Sequence, residues 1–207
     1  MQQKGYRERL LCRDCEAHLN AFESHSHRMF ARQLPPILHG TSRVREFPGI
    51  DYTRLKLFLL SILWRSSVSN HPFFNGTNLT PLEENLIRDH LLLNDAGDEF
   101  FFPTILFNLH YDGAHFRDFM TNVTPADDPR CHRLVLAGFL IIIYGEDFPL
   151  ARGLFMNPNE PVRSYDVEFE DWSFLRESRD EFVRSHFWRE PKQVDCSPSE
   201  PTWTESL

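Results

Sequence analysis

Cys12 and Cys15, in LLCRDCEAHLNAFESH (10–25), are the residues whose type and spacing point most directly to chemistry. A Cys-x-x-Cys turn that runs into a helix sets both sulfurs on one side. The free N–H groups and positive dipole end of the first helical turn then favour the thiolate form. Three readings follow. The pair is half of a zinc site, a dithiol redox couple, or two small, partly buried residues at a helix start.

A structural zinc ion takes four ligands. The eleven residues ahead of Cys12 hold no Cys or His, so no local four-ligand set is complete on that side. His18 follows Cys15 by three residues, too close for unstrained tetrahedral geometry. His25 and His27 lie about 15 Å or more down the same helix, at about 1.5 Å per residue. Cys131 with His132, or Cys196, can join only through tertiary folding. Alternatively, two copies of the pair meet across a two-fold axis. The redox reading uses the same local geometry in a different frame. Thioredoxin-like chains place the motif after a buried strand of a βαβ unit, whereas here RERLL precedes it and a buried helix follows.

Arg65 is the other candidate. It ends an apolar helix and shares a stripe with Arg54 and Ser61, which makes it a structural ion-pair partner or an anion site. Glu16, Asn20, Glu23 and His27 have the spacing of a helical acid–base face and read more simply as a solvated stripe. His110 and His115 flank YDGA as turn residues or loop ligands. The sequence has no Gly-rich phosphate loop, G-x-S-x-G, H-E-x-x-H or EF-hand pattern.

The elements that position these residues are legible in outline. Residues 12–32 read as a helix with Leu19, Phe22 and Met29 on its apolar side. QLPPILHGTSRVREFPGI (33–50) reads as a connection, broken by prolines and glycines. Asp51 caps a second helix, apolar on almost every face from Leu55 to Trp64 and therefore central. After HPFFNG, Thr80, Pro81 and Glu83 form a capping box for a third, with Asn94 and Gly97 as its stop. FFFPTILFNLHY, CHRLVLAGFLIIIYG and SYDVEFE read as strands, and RDFMTNV (117–123) as a fourth. In SYDVEFE, Tyr165, Val167 and Phe169 alternate with Asp166, Glu168 and Glu170. Residues 173–188 return to helical spacing, and the tail from Pro191 reads as flexible. The expected class is α+β: a Cys-x-x-Cys-headed helix, buried central helices on a mostly antiparallel sheet, and a C-terminal helix. The expected divisions are 1–34, a connection over 35–50, a main domain over 51–190 and a tail over 191–207.

With 207 residues, 41% of them hydrophobic and 19 of them Phe, the chain suits one aromatic-rich core. A net charge of −8 argues against broad attraction to nucleic acid. LVLAGFLIII (134–143) is about half the length of a membrane span, and the N-terminus lacks a signal-peptide pattern. A cytoplasmic protein with reduced cysteines is expected, and the sequons at Asn75, Asn78 and Asn122 are discounted accordingly.

KGYRERLLCRDCEAHLNAFESHSHRMF followed by IDYTRLKLFLLSILWRSS resembles a bacterial group of HNH-endonuclease-like treble-clef proteins over residues 4–70. The resemblance rests on Cys12, Cys15, Glu16, Glu23, Lys56, Phe58, Ser61, Trp64 and Arg65. It implies an upstream Cys-x-x-Cys and a Ser-His-x-x-Pro segment, neither of which stands ahead of Cys12 here. With no residue inheriting the water-activating histidine, the expectation is a non-catalytic binding or assembly module. A protein partner or a second copy would be bound, and nucleic acid only as the resemblance implies. The competing expectation is a metal-dependent nuclease completed by a further segment or a partner chain.

Overall fold

The computed structural model describes residues 10–31, 36–38, 43–74, 76–77, 79–111, 114–115, 120–126, 130–145 and 155–168. The chain divides into Met1–Asp171 and Trp172–Leu207, and the second unit, with the expected helix over 173–188, the tail and Cys196, lies outside the described residues.

Among the described residues, three α-helices cover one face of a sheet. Helix α1 (Arg13–Phe30) buries Leu19, Phe22, Ser26, Met29 and Phe30, a stripe at spacings of three and four residues that packs along α2 (Tyr52–Val68). The α2 helix is the hub. Its Leu55, Leu57, Leu59, Leu60 and Leu63 are completely buried, each worth about 2 kcal/mol of apolar transfer. Asp51 starts it by accepting the Arg54 N–H at 2.8 Å. Helix α3 (Pro81–Leu93) is peripheral by comparison, burying only Ile87 and Leu91. Its capping box is complete: the Thr80 hydroxyl accepts the Glu83 N–H at 3.2 Å, and Glu83 accepts the Thr80 N–H at 2.8 Å.

The strands are β1 (Ile37–Leu38), β2 (Val44–Phe47), β3 (Thr104–Tyr111), β4 (Ala114–His115), β5 (Thr124–Pro125), β6 (Cys131–Leu136), β7 (Phe139–Tyr144) and β8 (Val162–Glu168). They form one sheet in the order β1-β2-β8-β3-β7-β6-β5, with β4 on β3. Every pairing is antiparallel except β3 with β8. The architecture is α+β, as expected. Residues directly opposed across the ladders share a face, so Phe47, Val162, Leu106, Ile141, Phe139 and Leu134 meet the helices as one core. Phe30 ties α1 to this layer, its ring 5.5 Å from Phe139 and 5.9 Å from Phe58.

Three details differ from expectation. Residues 33–50 are more than a connection, because β1 and β2 lie within them and supply one end of the sheet. In the stretch expected to form a strand at 117–123, the described part makes a single bridge, Met120 with Leu136, and β5 follows it. The long apolar run 131–145 is a hairpin. Ala137 and Gly138 have φ of 51° and 83°, and Leu136 pairs with Phe139 across this two-residue turn. A positive φ strains alanine but suits asparagine. Ala137→Asn should therefore raise the unfolding free energy by about 1 kcal/mol, read from urea midpoints at constant m-value.

Candidate functional site

Cys12 is the N-cap of α1, with extended backbone at φ −74° and ψ 166°. Its Sγ accepts the backbone N–H of Cys15 at 3.4 Å, filling the place that a hydroxyl or carboxylate oxygen takes in ordinary caps. Cys12 is exposed and Cys15 is partly buried. Hydrogen bonding from the Cys15 N–H, with further help from the Cys15 side chain and the Asp14 N–H, holds the Cys12 thiol below its ordinary range. The Cys15 thiol is shifted upward, chiefly because it is hydrogen-bonded to the Cys12 sulfur. The two neighbouring sulfurs are thus shifted in opposite directions by the hydrogen bonds at the helix start.

Among the described residues, no group of three or more His, Cys, Asp or Glu is placed to hold a metal ion. Two of the α1 histidines have structural work. His18 donates through Nε2 to the Leu91 carbonyl at 2.8 Å, joining α1 to α3, and His25 accepts the Asp51 N–H at 2.9 Å. Cys131 is buried in β6. The thiolate chemistry suits zinc, and Cys12 with Cys15 supply two of the four donors it requires.

Beside the pair, between the start of α1 and the end of α2, lies a cavity of about 250 Å³ lined in part by Leu10, Glu16, Ile62, Arg65, His71 and Phe74. Arg65 on its wall is paired with Glu23 of α1 at 2.8 Å. It also donates to the Ser61 carbonyl at 3.1 Å and the Ser61 hydroxyl at 3.2 Å. Glu23 and Arg65, read from the sequence on two separate stripes, are thus brought together by the packing of α1 on α2.

Two buried polar groups were not singled out by sequence reasoning as sites. Lys56 is completely buried within the leucines of α2. Its Nζ donates to the Asp98 carbonyl at 2.7 Å and the Tyr52 hydroxyl at 3.0 Å, and lies over the Tyr52 and Phe101 rings. Burial pulls its pKa down to about 7, against the opposing pull of Asp98 and Glu99. The contacts tie α2 to the loop after α3. The signal in the sequence was a lysine inside a run apolar on every side.

The second group lies on the helix-covered face where β2, β8 and β3 adjoin. Asp166 accepts Arg45 Nε at 2.6 Å and Nη2 at 2.9 Å, and Asn108 Nδ2 at 2.8 Å. Asn108 also donates to the Ser164 hydroxyl at 2.8 Å, and His110 Nε2 stands 3.4 Å from Asp166. Burial alone would raise the Asp166 carboxyl, but the Arg45 and Asn108 hydrogen bonds outweigh it and hold it below its ordinary value. His115 is opposite His110 in the β3–β4 ladder.

No protein-family model, no curated protein and no solved structure matches the chain.

Proposed function

We propose that the protein is a binding or assembly module, with Cys12 and Cys15 contributing two thiolates to a zinc ion that a second copy of the chain completes. The observation that carries this reading is the cap itself. An exposed cysteine, acidified by the Cys15 N–H, sits one turn from a second cysteine at the end of a helix anchored on the core. Two such pairs meet the four-ligand requirement of a structural zinc site, and the bound ion then contributes to association. A net charge of −8 favours a protein partner over nucleic acid. The reading assigns the chain to a reducing, cytoplasmic setting, where both sulfurs remain available. No membrane span competes with it: among the described residues, no helix is long and apolar enough to cross a bilayer.

Metal titration with light scattering tests the proposal. Reduced protein should bind about half an equivalent of zinc per chain and become a dimer as it does so. Cys12→Ser should lose both zinc and dimer while keeping its fold, because serine is itself a good N-cap. A monomer that takes no zinc, or one that holds a full equivalent alone, overturns the assignment. So does metal-dependent cleavage of DNA by this chain, the result the nuclease reading requires.

A further inference from the structure

We infer that Cys12 and Cys15 also form a thiol–disulfide switch, in which Cys12 attacks a low-molecular-weight disulfide and Cys15 then closes the bond that shuts the pair. This deepens the assembly reading by giving the same site a means of regulation, and it rests on that reading only for its consequence, not for its chemistry.

The geometry is specific to two cysteines in this order. Cys12 is exposed at the helix start, where a solution disulfide can reach it, and Cys15 is partly withdrawn. Cys12 Sγ lies 3.4 Å from the Cys15 nitrogen. Cys15 Sγ is only three bonds from that nitrogen, through Cα and Cβ, and its thiol is hydrogen-bonded to the Cys12 sulfur. The extended N-cap backbone of Cys12 and the first turn of α1 hold the two side chains within hydrogen-bonding reach, a small displacement from disulfide geometry. Exposure sets the order of attack: Cys12, open to solvent, meets the disulfide first, and Cys15, partly withdrawn beside it, attacks second. Cys131, buried in β6, is kept apart from the same reagents.

The steps balance with oxidised glutathione as the two-electron acceptor. Cys12 thiolate attacks one glutathione sulfur. The glutathione S–S bond breaks, and the first thiolate leaves and is protonated by water. Cys15 then gives its proton to solvent and attacks Cys12 Sγ, expelling the second glutathione thiolate. The pair is oxidised to a disulfide and one glutathione disulfide is reduced to two thiols. The product has no thiolate to offer a metal, so the assembly it supports is released.

Metal-free protein incubated with oxidised glutathione and mapped by peptide mass spectrometry tests the inference. Wild type should lose two hydrogens within the Cys12–Cys15 peptide and retain no glutathione. Cys15→Ser should retain one glutathione on Cys12, and Cys12→Ser should show neither product at this peptide. Circular dichroism confirms that both variants fold. Stable glutathionylation of the wild-type peptide without closure, equal labelling of Cys12→Ser and Cys15→Ser, or no reaction at all overturns the switch. Because this readout contains no zinc, it stands or falls separately from assembly. Loss of zinc and dimer on oxidation is then scored on its own, and a protein that closes the disulfide but never binds zinc keeps the switch and loses the assembly.

Discussion

Denaturation of this protein at pH 9 should show an unfolding free energy about 2 kcal/mol higher than at pH 7 through Lys56 alone, and Lys56→Met should abolish that difference. In the fold, burial brings the Lys56 pKa down to about 7 from the ordinary 10.5. The unfolded chain therefore binds the proton more tightly than the native one. A native pKa depressed in this way contributes stability that is full above the unfolded value and lost as pH falls through the native one, so the sensitive window runs from about 10.5 down to 7. Tyr52 does not confound the measurement. Its hydroxyl is buried and donates to the Asp98 carbonyl at 2.9 Å, and its pKa is pushed upward, so it stays neutral throughout. Methionine matches the lysine stem and carries no charge to desolvate. Tyr52 and Asp98 keep their mutual hydrogen bond in the variant, so the substitution leaves no stranded acceptor there. Urea titrations of both proteins at pH 7 and pH 9 read the difference. Parallel pH slopes for wild type and Lys56→Met would show that the amine titrates near its ordinary value.

Lys56 also marks where the sequence stops being readable. Local signals carried the helices well. The Thr80–Pro81–Glu83 capping box, the Asp51 cap and the Asn94 stop, with its left-handed φ of 55°, all stand where their residue types place them. So does the start of α1 at the cysteine pair. What the sequence could not show was made by non-local pairing. VREF in β2 is four residues long and lies among turn formers, and all four of its residues pair with β8, more than a hundred residues later. The parallel β3–β8 pair likewise joins segments some sixty residues apart. Within a helix run that is apolar throughout, nothing local says that a loop carbonyl arrives at Lys56. The same holds for the site: the helix start was legible, whereas the closeness of Glu23 to Arg65 and the cavity beside them depend on how α1 lies on α2. In the described part of SYDVEFE, residues 164–168 form the end of β8, and the side carrying Asp166 is the one beneath the helices. Val162 and Ser164, four and two residues earlier, set that register, because Val162 is part of the core.

A carboxylate on the core side of a sheet must be matched, and Asp166→Ala should cost about 2 kcal/mol by removing the match. The loss leaves Arg45 without its bidentate partner and takes one of two acceptors from the Asn108 amide. A fully buried pair broken on one side would cost more. Here the Arg45 and Asp166 side chains keep 25% and 23% exposure, and water recovers part of the energy. Asn108 retains the Ser164 hydroxyl, so the damage centres on the guanidinium. Removing Arg45 as well should restore part of the loss, giving a coupling energy of about 1 kcal/mol in a double-mutant cycle. The pH dependence supplies an independent check. Because the Asp166 carboxyl is held below its ordinary value of 3.8, its contribution is present above that pH and disappears as the solution is acidified through the native pKa. Wild-type and Asp166→Ala stabilities should therefore differ at neutral pH and converge below pH 4. A constant gap across that range would mean that alanine harms packing alone, and that Arg45 and Asp166 are not the electrostatic clasp joining β2 to β8.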